Sequence, residues 1–223
     1  MDSIKRPADL IGEREQNLST KAYEVLLNML INRELPVNTV LQERRLAELL
    51  NISRTPVRDA LNRLENEGFI IRAGGRTPVV KEFSIRELIE TLHVRRTLES
   101  EAASLAAGRV PVSELDAIEA GINKLLADET PSPQEDWEID SRLHNALAHY
   151  SGNQLLTQYI ESLRLKTRMF NLRQVPERFV SGHHEHLEII AALRSGDADG
   201  ARAAAARHID NVRESIVRRL SQL

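Results

Sequence analysis

The chain has 223 residues, 41% hydrophobic and 28% charged, which suits one large globular domain or two small ones. It has no cysteine, no apolar run near the ~20 residues of a membrane span and no apolar signal core, so disulfides, thiolate zinc sites and cysteine nucleophiles are excluded and a cytoplasmic protein without membrane partners is expected. The formal net charge of −3 hides an asymmetry: residues 18–80 carry nine basic and seven acidic side chains, residues 81–223 carry 18 and 22, the pattern expected if only the first segment meets a polyanion.

In chain order, residues 1–17 are polar, contain Pro7 and Gly12, and read as a flexible leader. From Ser19 the apolar spacing turns helical through Ala22, Val25, Leu26, Met29 and Leu30, until Leu35-Pro36 ends the element. A short helix follows from about Gln42 to Leu50, with Leu46, Leu49 and Leu50 expected inward, then Asn51, which tolerates a left-handed turn. Ser53 caps a third helix with Pro56 in its first turn and Val57, Ala60, Leu61 and Leu64 inward, and Gly68 stops it. Phe69–Arg72 and Pro78–Lys81 are short β-prone runs flanking Gly74-Gly75, read as a two-stranded hairpin. Beyond Ser84, breaks at 108–111, 130–133, 151–153, 175–176 and 195–197 partition the rest into six helices with short connections, an antiparallel bundle. The expected fold class is mainly α: a winged helix-turn-helix domain over 18–82 and an all-α helical domain over 85–220.

Arg54 and Arg58 share one face of the third helix, whose start offers free N–H groups and a positive dipole end suited to phosphate. Arginine also matches the two major-groove acceptors of guanine. By spacing alone, a capped surface helix with solvated arginines is as good a reading. The stretch LQERRLAELLNISRTPVRDALNRLENEG over residues 41–68, however, closely resembles the signature of the GntR family of bacterial transcription regulators. That resemblance implies DNA contacts from Arg44, Arg54 and Arg58, phosphate contacts from Ser53 and Thr55, and a wing at Gly74, Gly75 and Arg76 entering the minor groove. Gln42 in place of a serine-like cap and Asn51 in place of the common turn glycine are mild departures.

All seven histidines lie beyond position 90. Asp140 and His144 fall at i and i+4 on the stripe of Trp137, Leu143 and Leu147, and an unpaired carboxylate there needs a cation or donors. His186 lies nine residues before Ser195 and His208 nine after Asp199, so across an antiparallel turn the two are level. Asp140, His144, His186 and His208 can therefore converge on a divalent metal. Each histidine alone would more often be a hydrogen-bonded core group. Of the adjacent His183 and His184 at least one should face solvent; both stay outside the ligand set, although His183 could line the cavity. His93 and His149 show no partner pattern.

Residues about 85–220 resemble the FCD effector domain of FadR-type GntR members, whose metal-binding subgroup carries Asp-x3-His and two later histidines, here Asp140, His144, His186 and His208. The resemblance implies a divalent ion, zinc first, with nickel or manganese tolerated, and makes Arg95 the arginine that binds an effector carboxylate. A salt bridge from Arg95 to Glu99 is the equal alternative, and Arg96 lies one register away. The expected protein is a regulator, most often a repressor in this family, acting as a homodimer on a palindromic double-stranded operator under a small carboxylic acid effector. Two rivals remain: a purely structural metal beneath constitutive DNA binding, and a metal-dependent enzyme. The second lacks an H-E-x-x-H motif and a Gly-rich phosphate loop, and Glu185 within His183-His184-Glu185-His186 is a neighbour with no defined supporting role, so no enzyme is expected.

Overall fold

The computed structural model describes residues 7–170 and 178–221. It divides into two compact units, Met1–Phe83 and Ser84–Leu223.

The first unit runs α1 (Pro7–Ile31), α2 (Glu43–Leu50), α3 (Arg54–Asn66), β1 (Ile70–Ala73) and β2 (Thr77–Val80). Helix α1 begins at Pro7, so residues 7–17 are helical where a flexible leader was expected; residues 1–6 lie outside the described residues. Proline fits a first helical position, and Ala8, Leu10, Glu13, Arg14 and Gln16 are strong helix formers, which outweighs the missing apolar period. Leu26 and Leu30 of α1 bury against α3, whose Val57, Leu61 and Leu64 are fully enclosed, with Phe69 and Ile70 completing the core. Each such side chain contributes about 1.5–3 kcal/mol of burial. Asn51 takes the left-handed conformation, φ 52° and ψ 45°, and its N–H bonds back into the last turn of α2. Leu49 departs from expectation. It is 61% exposed while Leu46 and Ala47 are buried, because α2 turns the 46/47 edge inward and Leu49 falls outside that stripe. The hairpin pairs Ile70 with Val80 and Ala73 with Thr77 around Gly74 and Gly75, whose positive φ values of 59° and 73° suit the tight turn.

The second unit has six helices among the described residues: α4 (Ile85–Ala106), α5 (Val112–Ala127), α6 (Pro133–Tyr150), α7 (Gln154–Met169), α8 (Arg178–Ser195) and α9 (Ala198–Leu220). The expected break at Val175-Pro176 lies outside the described residues. Ser84 opens α4 with a reciprocal cap, accepting from the Glu87 N–H while Glu87 accepts from the Ser84 N–H at 2.9 Å. Small residues let α4 and α9 approach: Ala102, Ala103 and Ala106 share a core with Ala201, Ala204 and Ala205. Gly108, at φ 71°, donates to the Leu193 carbonyl at 2.9 Å, and a Cβ there would stand 3.5 Å from the Gly196 Cα. That junction and the Asp197 cap fix the turn from α8 into α9, which sets His186 level with His208.

Candidate functional site

Four side chains from three helices meet inside the second unit. His144 (α6), His186 (α8) and His208 (α9) are buried, and one ring nitrogen of each lies within 4.8 Å of the others. His186 Nε2 is 3.3 Å from His208 Nε2, and Asp140 Oδ1 lies 3.6 Å from His186 Nε2 and 3.7 Å from His144 Nε2. The sequence-derived quartet is thus in one place. Donors bound tetrahedrally at zinc distances would be about 3.3 Å apart, so the set fits such an ion with little adjustment.

The outer atoms of the quartet are held by groups that sequence reasoning missed. His144 Nδ1–H donates to Glu99 of α4, and His208 Nδ1–H donates to Glu185 Oε2 at 2.9 Å. Each carboxylate fixes the tautomer that leaves Nε2 as a lone pair facing the centre. His144 Nε2 is buried with no hydrogen-bond partner, an orphaned acceptor that a cation would satisfy. Asp140 Oδ2 accepts from Arg164 Nη2 at 2.5 Å, leaving Oδ1 for the centre. Glu185 is no idle neighbour. It also accepts from Arg178 at 2.8 Å and from Asn211 Nδ2 at 2.8 Å.

The electrostatics favour the metal-binding protonation states. Burial, then the Arg164 charge, lowers His144 to about 4, against the opposing pull of Glu99 and Asp140. Burial and the neighbouring His208 also hold His186 well below an ordinary histidine. Burial pushes Asp140 and Glu99 up, yet Arg164 for the first and Arg95 for the second, with the histidines, outweigh it and hold both carboxyls well below the usual range. Glu185 reaches about 2: burial raises it, and the hydrogen bonds of Arg178, His208 and Asn211 prevail. Near neutral pH the centre therefore offers His144 and His186 as neutral imidazoles and Asp140 as an ionised carboxylate.

Arg95 is buried and realises the salt bridge, Nε to Glu99 Oε1 at 2.6 Å, with Nη1 on Thr167 Oγ1 at 3.2 Å. Because Glu99 also holds His144, Arg95 is one bond removed from a member of the quartet. Arg96 points elsewhere, to Asp210 Oδ2 at 2.6 Å. His183 is buried with Nδ1 on the Phe179 carbonyl at 3.0 Å, and Asp136 Oδ1 stands 3.4 Å from its Nε2; His184, His93 and His149 are exposed.

In the first unit, Arg44, Ser53, Arg54, Thr55, Arg58, Gly75 and Arg76 are all exposed. Ser53 has the extended backbone of a cap, but its side chain makes no capping bond, which leaves the first-turn N–H groups of α3 open to an anion. Gln42 likewise makes no side-chain cap for α2. Glu43 joins the two helices: its Oε1 and Oε2 accept from Arg58 Nε and Nη2 at 3.1 and 2.9 Å, and Oε2 also accepts from Arg54 Nη2 at 3.2 Å. Arg72 ties the wing to α3 through Glu65 at 2.8 Å and Asn62 at 2.7 Å.

Residues 18–80 match the model of the "Bacterial regulatory proteins, gntR family", and residues 90–211, more than half the chain, match the FCD domain. The chain is a GntR-family regulator with an FCD domain. Among its relatives, the HTH-type transcriptional repressor RspR of Escherichia coli K12 is 26% identical over 207 residues, 90% of each protein. Among solved structures, E. coli McbR/YncC superposes with a TM-score of 0.74 at 26% identity, covering 87% of this chain and 94% of that one. The Zn2+-bound FCD domain of TM0439 is 25% identical with a TM-score of 0.52, covering 63% of this chain and 100% of that domain. This GntR-family chain is accordingly a DNA-binding transcription regulator and not an enzyme. No described helix is long and apolar enough to cross a membrane.

Proposed function

We propose that this regulator senses a small carboxylic acid at a metal centre in its FCD domain and passes the signal to DNA binding. Asp140, His144, His186 and His208 hold a divalent ion, zinc first, with nickel or manganese compatible with the same donors. The observation that carries this reading is the inward meeting of three imidazole nitrogens and Asp140 Oδ1, two of the rings being locked from behind by carboxylates. The zinc in the related FCD domain supports the same choice.

The ion supplies a Lewis-acidic point on which an acid's carboxylate can bind. Asp140 is anchored by Arg164, so its free oxygen stays directed at the centre. An incoming carboxylate competes with Glu99 for the Arg95 guanidinium. Since Glu99 also orients His144, that competition reaches the quartet directly. The acid must bind one arrangement of the domain better than another, or it shifts nothing.

On the DNA side, Arg54 and Arg58 read base edges, Arg44 adds a further contact, Ser53 and Thr55 meet phosphate, and Gly75 and Arg76 bring the wing into the minor groove. Two copies related by a twofold axis would place two α3 helices on a palindromic operator. The test is the double variant His186→Ala/His208→Ala in the full chain. It should purify without the metal found in the wild type and should bind operator without responding to added acids. Unchanged metal content and response would end the reading. A wild type that binds metal yet keeps its grip on DNA against every acid tried would favour a purely structural ion.

A further inference from the structure

Glu43 is an acidic residue bonded to both of the candidate base-reading arginines of α3, Arg54 and Arg58. It accepts from Arg58 through two donors and from Arg54 through one, three hydrogen bonds of 2.9–3.2 Å between the start of α2 and the start of α3. Its side chain is 22% exposed, whereas those of Arg54 and Arg58 are 61% and 51% exposed. The Arg58 hydrogen bonds lead the influences that hold the Glu43 carboxyl below its usual value, so it stays charged. A negative charge beside a polyanion lowers affinity for any DNA. The arginine partners are more than half exposed, so solvent screening keeps even this bridged pair's contribution to folding modest. The arrangement therefore costs binding and returns only a modest gain in stability, unless holding the two guanidiniums has its own use.

We propose that Glu43 is a positioning residue for sequence discrimination, fixing the Arg54 and Arg58 guanidiniums in the orientation that reads bases and withholding them from phosphate. The geometry suits that task. With Nε and Nη2 of Arg58 committed to Glu43, the Nη1 edge is the one left to turn outward, and rotation of the long side chain toward the backbone of the duplex would break two bonds. Arg54 gives Glu43 only Nη2, and retains Nε and Nη1 for bases. An arginine held in one rotamer discriminates better, because a flexible one can exchange a lost base contact for a phosphate. This inference rests on the proposed base-reading role of Arg54 and Arg58.

The experiment uses the full chain and two probes: a duplex enriched from a random pool by the wild type, and a composition-matched scrambled duplex. Glu43→Gln should bind the scrambled duplex several-fold tighter and the enriched duplex no tighter, so the ratio falls by at least the same several-fold factor. The salt dependence on scrambled DNA should steepen by about one in log–log slope as a freed guanidinium finds phosphate. Glu43→Asp keeps the charge but withdraws it by one methylene, and should lose discrimination without the gain on scrambled DNA. The proposal is overturned if both variants keep the wild-type ratio, whether affinities rise or fall together. Arg54→Ala and Arg58→Ala run alongside. If neither lowers the ratio, the base-reading role fails and the clamp with it. If both lower it and the Glu43 variants do not, the clamp alone fails.

Discussion

Glu99 and Glu185 hold the far nitrogens of His144 and His208, so at the proposed metal centre replacing either should weaken metal binding while leaving the quartet in place. For Glu99→Gln or Glu185→Gln the expected loss is about 10–100-fold in metal affinity, measured by chelator competition; an unchanged affinity would show that the carboxylates only fill space. Proton linkage makes a second prediction at this scale. His144 has a native value of about 4, below the ~6.5 of an unfolded histidine, so between these values the unfolded chain binds more protons. The metal-free protein should therefore lose stability as pH falls from about 6.5 toward 4, seen as a falling Tm. The carboxylates Glu99 and Asp140 act with their own window lower down, where acid removes the stability they give above ordinary carboxylate values.

At the scale of the element, the turn between α2 and α3 depends on one residue in a left-handed conformation. Asn51 tolerates φ 52° by its short polar side chain, and a β-branched residue would not. Asn51→Val should cost about 1–2 kcal/mol in denaturant unfolding, whereas Asn51→Gly should be within a few tenths of wild type. Periodicity and punctuation were enough to place this turn, the α3 core face, the hairpin and the six helices of the FCD domain, because each depends on neighbours a few residues away. They failed at α1, where helix propensity carries the helix back to Pro7 without an apolar stripe, and at Leu49, whose face is set by how α2 seats on α3.

For the whole molecule, the candidate DNA-reading residues and the candidate metal quartet occupy separate units, so their variants should separate too. Arg54→Ala or Arg58→Ala should cost about 1–3 kcal/mol on operator, with a smaller loss on random DNA, and should leave metal content untouched. Equal losses on both DNAs would reassign that arginine to phosphate.

By itself, the order of residues determined the family, the division into a GntR segment and an all-helical FCD segment, and which four side chains are candidates for a metal quartet. The Asp-x3-His spacing and the equal distances of His186 and His208 from their turn are facts of helical rise and pitch. Only the tertiary structure decided what stands behind that quartet. Glu99 reaches His144 across 45 residues, Arg164 reaches Asp140 across 24, and Glu43 reaches Arg58 across 15. A pairing between helices depends on their crossing and rotation, which no local spacing rule encodes. Arg95 shows the division most clearly. Its spacing to Glu99 allowed the salt bridge, but only packing against α6 and α7 buried the pair and joined it to His144 and Thr167.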